Sequence, residues 1–199
     1  MAATASRPVS ASASPDRRWR TRDIVVTAII GVVFGVVFQL WNALWGVTGG
    51  LFTFFPAAQN LLYGVWLVPA VLAPLIVRKP GAALFAELVA AGLSAVIGSQ
   101  FGPDALLSGL LQGGAAELVF LAFRYRVWSL PVLGLAAAAS ATAAWVHDWI
   151  VYSAAMGFDV QVWYWVSAVV SAIVIAAGGS VLLVRSLRQA GVLKGFPAG

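Results

Sequence analysis

Apolar residues in this chain come in long blocks rather than in alternation. A helix needs about 20 apolar residues to cross hydrocarbon. Six blocks are long enough, at roughly residues 23–45, 57–77, 81–99, 105–123, 130–153 and 161–184. The breaks between them carry turn chemistry. RKPG at 78–81 ends the second block, and Pro80 is placed to start the third. FGPD at 101–104 is a turn with Asp104 as a candidate N-cap, Ser129 and Pro131 open the fifth block, and MGFD at 156–159 closes it. Pro69 and Pro74 lie inside the second block and predict a kink. The pattern predicts an all-α membrane protein with six transmembrane helices over residues 21–199. Residues 1–20 are mostly Ala, Ser, Pro and Arg and predict a disordered tail.

Composition agrees with this pattern. Hydrophobic residues make up 61% of the chain and charged residues 10%, against about 45–50% and about 25% in soluble domains. The absence of cysteine excludes disulfides and thiolate metal sites, and a single histidine excludes His-rich ones. A carboxylate-only metal site stays open. The sequence pI near 10.2 would suit a nucleic-acid binder, but the charge distribution points elsewhere. All twelve Lys and Arg fall in the N-terminal tail, the second–third connection, the fourth–fifth connection or the C-terminal tail. This obeys the positive-inside rule. It predicts cytoplasmic termini, a plasma-membrane location and a lipid bilayer, not nucleic acid, as the partner of the charge.

The same topology sorts the polar residues by depth. Gln39, Asn42, Gln59, Asn60, His147, Asp148 and Tyr152 fall in the outer half, with Trp41, Trp45, Trp145, Trp149, Trp163 and Trp165. Tryptophans at span ends form interfacial belts as readily as binding walls, and a His–Asp pair can be a structural contact. Glu117 in the fourth span and Glu87 in the third lie deeper, and an intramembrane carboxylate points to function. Glu87 is only eight residues beyond Lys79, toward the basic side. Gly109, Gly113 and Glu117 share a helix face. Either the glycines leave room for a ligand with Glu117 as its floor, or they allow tight helix packing. Gln112 and Ser108 adjoin the same space. The outer half has no Lys or Arg, so a hollow there favours a neutral or cationic ring, held by indole faces and carboxylates.

RKPGAALFAELVAA at 78–91 and LLQGGAAELVFLAFRYR at 110–126 resemble the YkoE-like S components of energy-coupling factor (ECF) transporters. WNALWGVTGGLF and YGVW at 63–66 are also similar, and the resemblance spans roughly residues 22–196. It implies an S-component bundle that captures thiamine or its hydroxymethylpyrimidine precursor from outside. It also implies a transmembrane coupling subunit and two ABC-type ATPases as partners. Thiamine-binding S components use a fourth-helix glutamate, a fifth-helix histidine and tryptophans, parts that Glu117, His147 and Trp145 or Trp149 would take. The stripe Thr27, Gly31, Gly35 would contact the coupling subunit, or would serve packing within the chain. Neither Lys79 nor Lys194 sits in a phosphate-binding loop, so ATP hydrolysis would belong to partner chains and no cofactor to this one. Rival expectations are a stand-alone proton-coupled carrier relaying through Glu87 and Glu117, an S component for another neutral or cationic vitamin, and an enzyme using His147 and Asp148, for which no nucleophile is placed.

Overall fold

The computed structural model describes residues 17–199, so most of the expected tail lies outside the described residues. The described chain is helical. Its elements are α1 (Thr21–Thr48), a short 3-10 turn (Gly49–Phe52), a 3-10 helix (Pro56–Leu67), α2 (Val68–Val77), α3 (Ala82–Val96), α4 (Asp104–Ala122), α5 (Leu130–Tyr152), α6 (Phe158–Ser171), a π-helical segment (Ala172–Gly178) and α7 (Gly179–Gln189). Five helical runs are long and apolar enough to cross a membrane, and Ala82–Val96 is a shorter apolar helix. The apolar blocks therefore mark the elements to within a few residues.

The second run, where Pro69 and Pro74 lie, is not one uniform helix. It changes helix type between Leu67 and Val68, one residue ahead of Pro69. Pro69 then sits in the first turn of α2, where a missing N–H costs little. The whole of α2 is buried, so it forms the centre of the bundle.

Two close approaches fix the packing around it. A Cβ at Gly31 would lie 2.6 Å from Val89 Cβ, and one at Gly35 would lie 2.8 Å from Leu93 Cβ. Thr27, Gly31 and Gly35 are thus buried against α3. Of the two expectations for this stripe, packing within the chain is the one this geometry serves, since the neighbouring helix fills it. On the other side, the Gly64 amide donates to Ser171 Oγ at 2.8 Å, and Ser171 Oγ donates to the Leu61 carbonyl at 2.7 Å. A Cβ at Gly64 would collide with the Ser171 carbonyl oxygen.

The basic connections gather at one end. Asp23 caps α1 by accepting the Arg20 amide at 3.0 Å and lies 3.9 Å from Lys79. The Arg22 guanidinium lies 5.2 Å from the ring of Phe196, which ties the C-terminal turn to α1.

Candidate substrate-binding site

A cavity of about 280 Å³ opens at the end opposite the basic connections. This is near the lower end of small-molecule sites, which run from about 300 Å³. Its walls come from the C-terminal parts of α1 and α5, the N-terminal part of α4, and residues along the 3-10 helix, α3 and α6.

The 3-10 helix builds one wall. With three residues per turn, side chains at i and i+3 stack in a column. Asn60, Tyr63 and Trp66 have this spacing, all three are buried, and all three line the cavity. An α-helix would fan the same residues around its axis by about 60° per step. Trp45 of α1 meets the column, 4.9 Å from Trp66 and 6.2 Å from Tyr63 between ring centroids. Asn42 holds it from behind. Its Oδ1 accepts from Trp66 Nε1 at 3.1 Å, and its Nδ2 donates to Ser99 Oγ at 3.0 Å and Ser94 Oγ at 3.3 Å.

Glu87 is the deep carboxylate of the cavity. It is 1% exposed and lines the cavity. One oxygen accepts the Ala70 amide at 3.1 Å. That amide lies in the first turn of α2, where backbone N–H groups lack helical partners. The change of helix type thus creates a donor inside the bundle, and Glu87 satisfies it from α3.

An acidic network adjoins this wall. His147 is buried and spans two carboxylates, with Nδ1 2.9 Å from Asp148 Oδ1 and Nε2 3.1 Å from Asp104 Oδ1. Tyr63 donates to Asp148 Oδ2 at 2.9 Å, and Tyr152 donates to Asp104. Gln112 donates to Ser108 Oγ at 2.6 Å. Trp145 and Trp149 line the cavity with ring centroids 5.2 Å apart, and Trp145 Nε1 donates to the Gln161 carbonyl at 3.0 Å.

The expected site residues divide accordingly. Asn42, Trp45, Asn60, Glu87, Gln112, Trp145, Asp148, Trp149 and Tyr152 line the cavity. His147 stands behind the wall and joins its two aspartates. Gln39 and Trp41 are not in the lining. Gln39 donates to the Gly98 carbonyl at 3.2 Å, and Trp41 donates to the Leu62 carbonyl at 2.9 Å.

The largest correction concerns Glu117, which is not the floor. Its Oε1 accepts from the Gly81 amide at 2.5 Å and from Tyr125 at 2.6 Å, and its Oε2 accepts from the Ala83 amide at 3.0 Å. It caps the N-terminus of α3 from a neighbouring helix, at the basic end. Carboxylates are favoured at that end of a helix dipole. The two glycines expected to leave room above it both approach α3 closely, and Gly109 also lines the cavity. A Cβ at Gly113 would meet Glu87 Cβ at 2.9 Å, and one at Gly109 would meet Ala91 Cβ at 2.7 Å. The cavity instead reaches down to Glu87, which the short span of α3 brings within its depth.

Comparison with known proteins places this geometry. Residues 22–143 match a family model described as "ABC-type cobalt transport system, permease component". The chain is 36% identical over 132 residues to YkoE of Bacillus subtilis (strain 168), named as an HMP/thiamine permease protein. That match covers 66% of this chain and 65% of the relative, a little less than two thirds of its length. A crystal structure of an S-component of an ECF transporter is 35% identical, superposes with a TM-score of 0.86, and covers 90% of this chain and 91% of its own.

The chain belongs to the YkoE-like family of ECF S components.

Membership places it among membrane transport proteins rather than enzymes. The S-component fold also explains why sequence reading missed part of the site. Tyr63, Trp66, Ser94, Ser99, Phe101 and Tyr164 all line the cavity. The i, i+3 spacing of Asn60, Tyr63 and Trp66 was a signal for the first two, but it carries meaning only once the 3-10 winding is known. Asp104 was expected as a helix cap; its carboxylate makes no cap and turns to His147 and Tyr152 instead.

Proposed function

We propose that this chain is the substrate-binding subunit of an ECF importer, and that it captures thiamine or hydroxymethylpyrimidine from outside the cell. The carrying observation is the chemistry of the cavity. Its lining has aromatic rings, amides and carboxylates and no Lys or Arg among the described residues. A phosphate or carboxylate ligand would meet no cation there. An aminopyrimidine would stack on indole faces and donate to the free oxygen of Glu87. Asp148 would face a cationic second ring, with His147 fixing that carboxylate. The named function of the Bacillus relative supports the same ligand class.

Six crossings, with both termini and the basic connections in the cytoplasm of the plasma membrane, complete the proposal. This orientation directs the cavity outward and leaves the ATP-driven step to a coupling subunit and two ATPases on other chains. Cobalt, in the family description, finds no fitting donor set as cargo. Among the described residues no group of three or more His, Cys, Asp or Glu is arranged to hold a metal ion. The stand-alone carrier reading has less support, because hydrogen bonds at the basic end occupy both oxygens of Glu117.

Equilibrium binding of radiolabelled thiamine and hydroxymethylpyrimidine to the purified chain tests the proposal. Submicromolar binding of either, weakened by Glu87→Gln, is the expected result. Saturation of neither ligand below millimolar concentration overturns the substrate assignment.

A further inference from the structure

The residues that line the cavity are buried or half-buried, with two exceptions. Tyr152 is 52% exposed and Met156 is 44% exposed, so the cavity reaches the surface beside them. Tyr152 is the last residue of α5. Its hydroxyl donates to Asp104, the first residue of α4. Its ring stands edge-on to Phe101, with centroids 6.1 Å apart. Phe101 lies in the turn between α3 and α4 and meets Trp66 of the 3-10 column in the same way, also at 6.1 Å. One phenol at the mouth thus ties the end of α5 to the α3–α4 turn and to the start of α4.

This tie opens at little cost. Asp104 keeps a second partner, since His147 Nε2 stands 3.1 Å from its other oxygen. An exposed phenol that leaves the carboxylate exchanges it for water, and exposed side chains change rotamer within nanoseconds. Tyr63 makes the contrasting pair. It is bonded to Asp148 at 2.9 Å but is 8% exposed and packed against Trp45 and Trp66, so it has no solvent to turn into. The backbone behind Tyr152 is held. Gln161, 1% exposed, donates to the Ser153 carbonyl at 2.9 Å and to the Ser153 hydroxyl at 2.8 Å. The Ser153 amide donates to the Asp148 carbonyl at 3.1 Å. Movement at the mouth therefore falls to the Tyr152 side chain rather than to the connection between α5 and α6.

We propose that Tyr152 is the gate of the cavity: latched to Asp104 it bars the mouth, and turned outward it admits a ligand. The gate rests on the reading of the cavity as a binding site, but its state is measurable without a ligand.

The chain has no cysteine, so Ser94→Cys places a single thiol on the cavity wall, at a position 2% exposed. The full chain in nanodiscs is treated with a water-soluble methanethiosulfonate, and the labelling rate follows the fraction of time the mouth is open. Tyr152→Phe removes the latch and keeps the ring. It is expected to speed labelling about ten-fold, near the lower end for a hydrogen bond to a charged group. Tyr125→Phe removes a matching phenol–carboxylate bond at the basic end and leaves the rate unchanged. Equal rates in Tyr152→Phe and its parent overturn the gate. Equal acceleration by both substitutions shows general loosening and overturns it too. A second arm follows radiolabelled thiamine, whose association and dissociation both speed up in Tyr152→Phe. Faster labelling with no thiamine binding keeps the gate and sinks the ligand assignment. Thiamine binding at unchanged rates, with unchanged labelling, sinks the gate alone.

Discussion

The Glu87 carboxylate and the Ala70 amide meet at 3.1 Å inside the bundle, joining α3 to the first turn of α2. The contact has two separable roles. Glutamine can still accept the amide but presents no charge to a ligand. Glu87→Gln is expected to keep the fold and weaken substrate binding by roughly 1.5–3 kcal/mol, the range for hydrogen bonds to charged groups. Glu87→Ala leaves a buried N–H unpaired and is expected to lower stability by about 1–3 kcal/mol as well. Ligand titration and thermal unfolding of the two variants separate the roles.

Glu117 is expected to behave in the opposite way. It holds two α3 amides and Tyr125, far from the cavity lining. Glu117→Ala should lower thermal stability by about 1–3 kcal/mol for each amide left unpaired, with ligand affinity unchanged. A large loss of affinity at unchanged stability would return Glu117 to the substrate site.

Tyr125 supplies a pH signature for the same cap. Burial, then its hydrogen bond to Glu117, raise the phenol above its ordinary value of 10.0. The folded chain therefore keeps this proton where the unfolded chain releases it. Its contribution to stability is complete below pH 10.0 and falls as pH rises beyond that value. Denaturant unfolding across this window should decline less steeply in Tyr125→Phe than in the parent.

His147 is expected to couple Asp104 and Asp148. Removing the imidazole leaves two carboxylates facing each other without a donor between them. His147→Ala should be destabilising, and adding Asp104→Asn should restore part of the loss. A double-mutant cycle on stability is expected to give a coupling of about 0.5–3 kcal/mol. Strict additivity would show that the imidazole does not join the two.

Gly64 tests the contact between the 3-10 helix and α6. A methyl group there meets the Ser171 backbone rather than a movable side chain. Gly64→Ala should destabilise by on the order of 1–3 kcal/mol through overpacking. Gly50→Ala, with nothing within 4 Å, should be neutral by the same thermal assay.

The helical runs were legible in the sequence because hydrocarbon imposes a minimum apolar length, and charge fixes where each run stops. Part of the polar and aromatic lining of the cavity was legible for the same reason, down to Asn42, Asn60, Gln112, Asp148, Trp45, Trp145 and Trp149. What the pattern could not carry was rotation about each helix axis. Glu117 and Glu87 looked alike as intramembrane carboxylates, and only packing distinguishes a cap at the basic end from a group in the cavity. Thr27, Gly31 and Gly35 read equally well as an outer docking stripe and as an inner seam. The 3-10 winding was invisible because apolar length does not report residues per turn, and so Tyr63 and Trp66 were missed.

That winding also limits how the binding wall can change over evolution. Adding or deleting one residue before Trp66 would turn everything on one side of the change by about 120°, scattering the Asn60–Tyr63–Trp66 column. A change of three residues would restore the facing and alter only the reach. Relatives that differ in length within this segment should therefore differ in multiples of three, a spacing rule closer to a reading frame than to an ordinary loop.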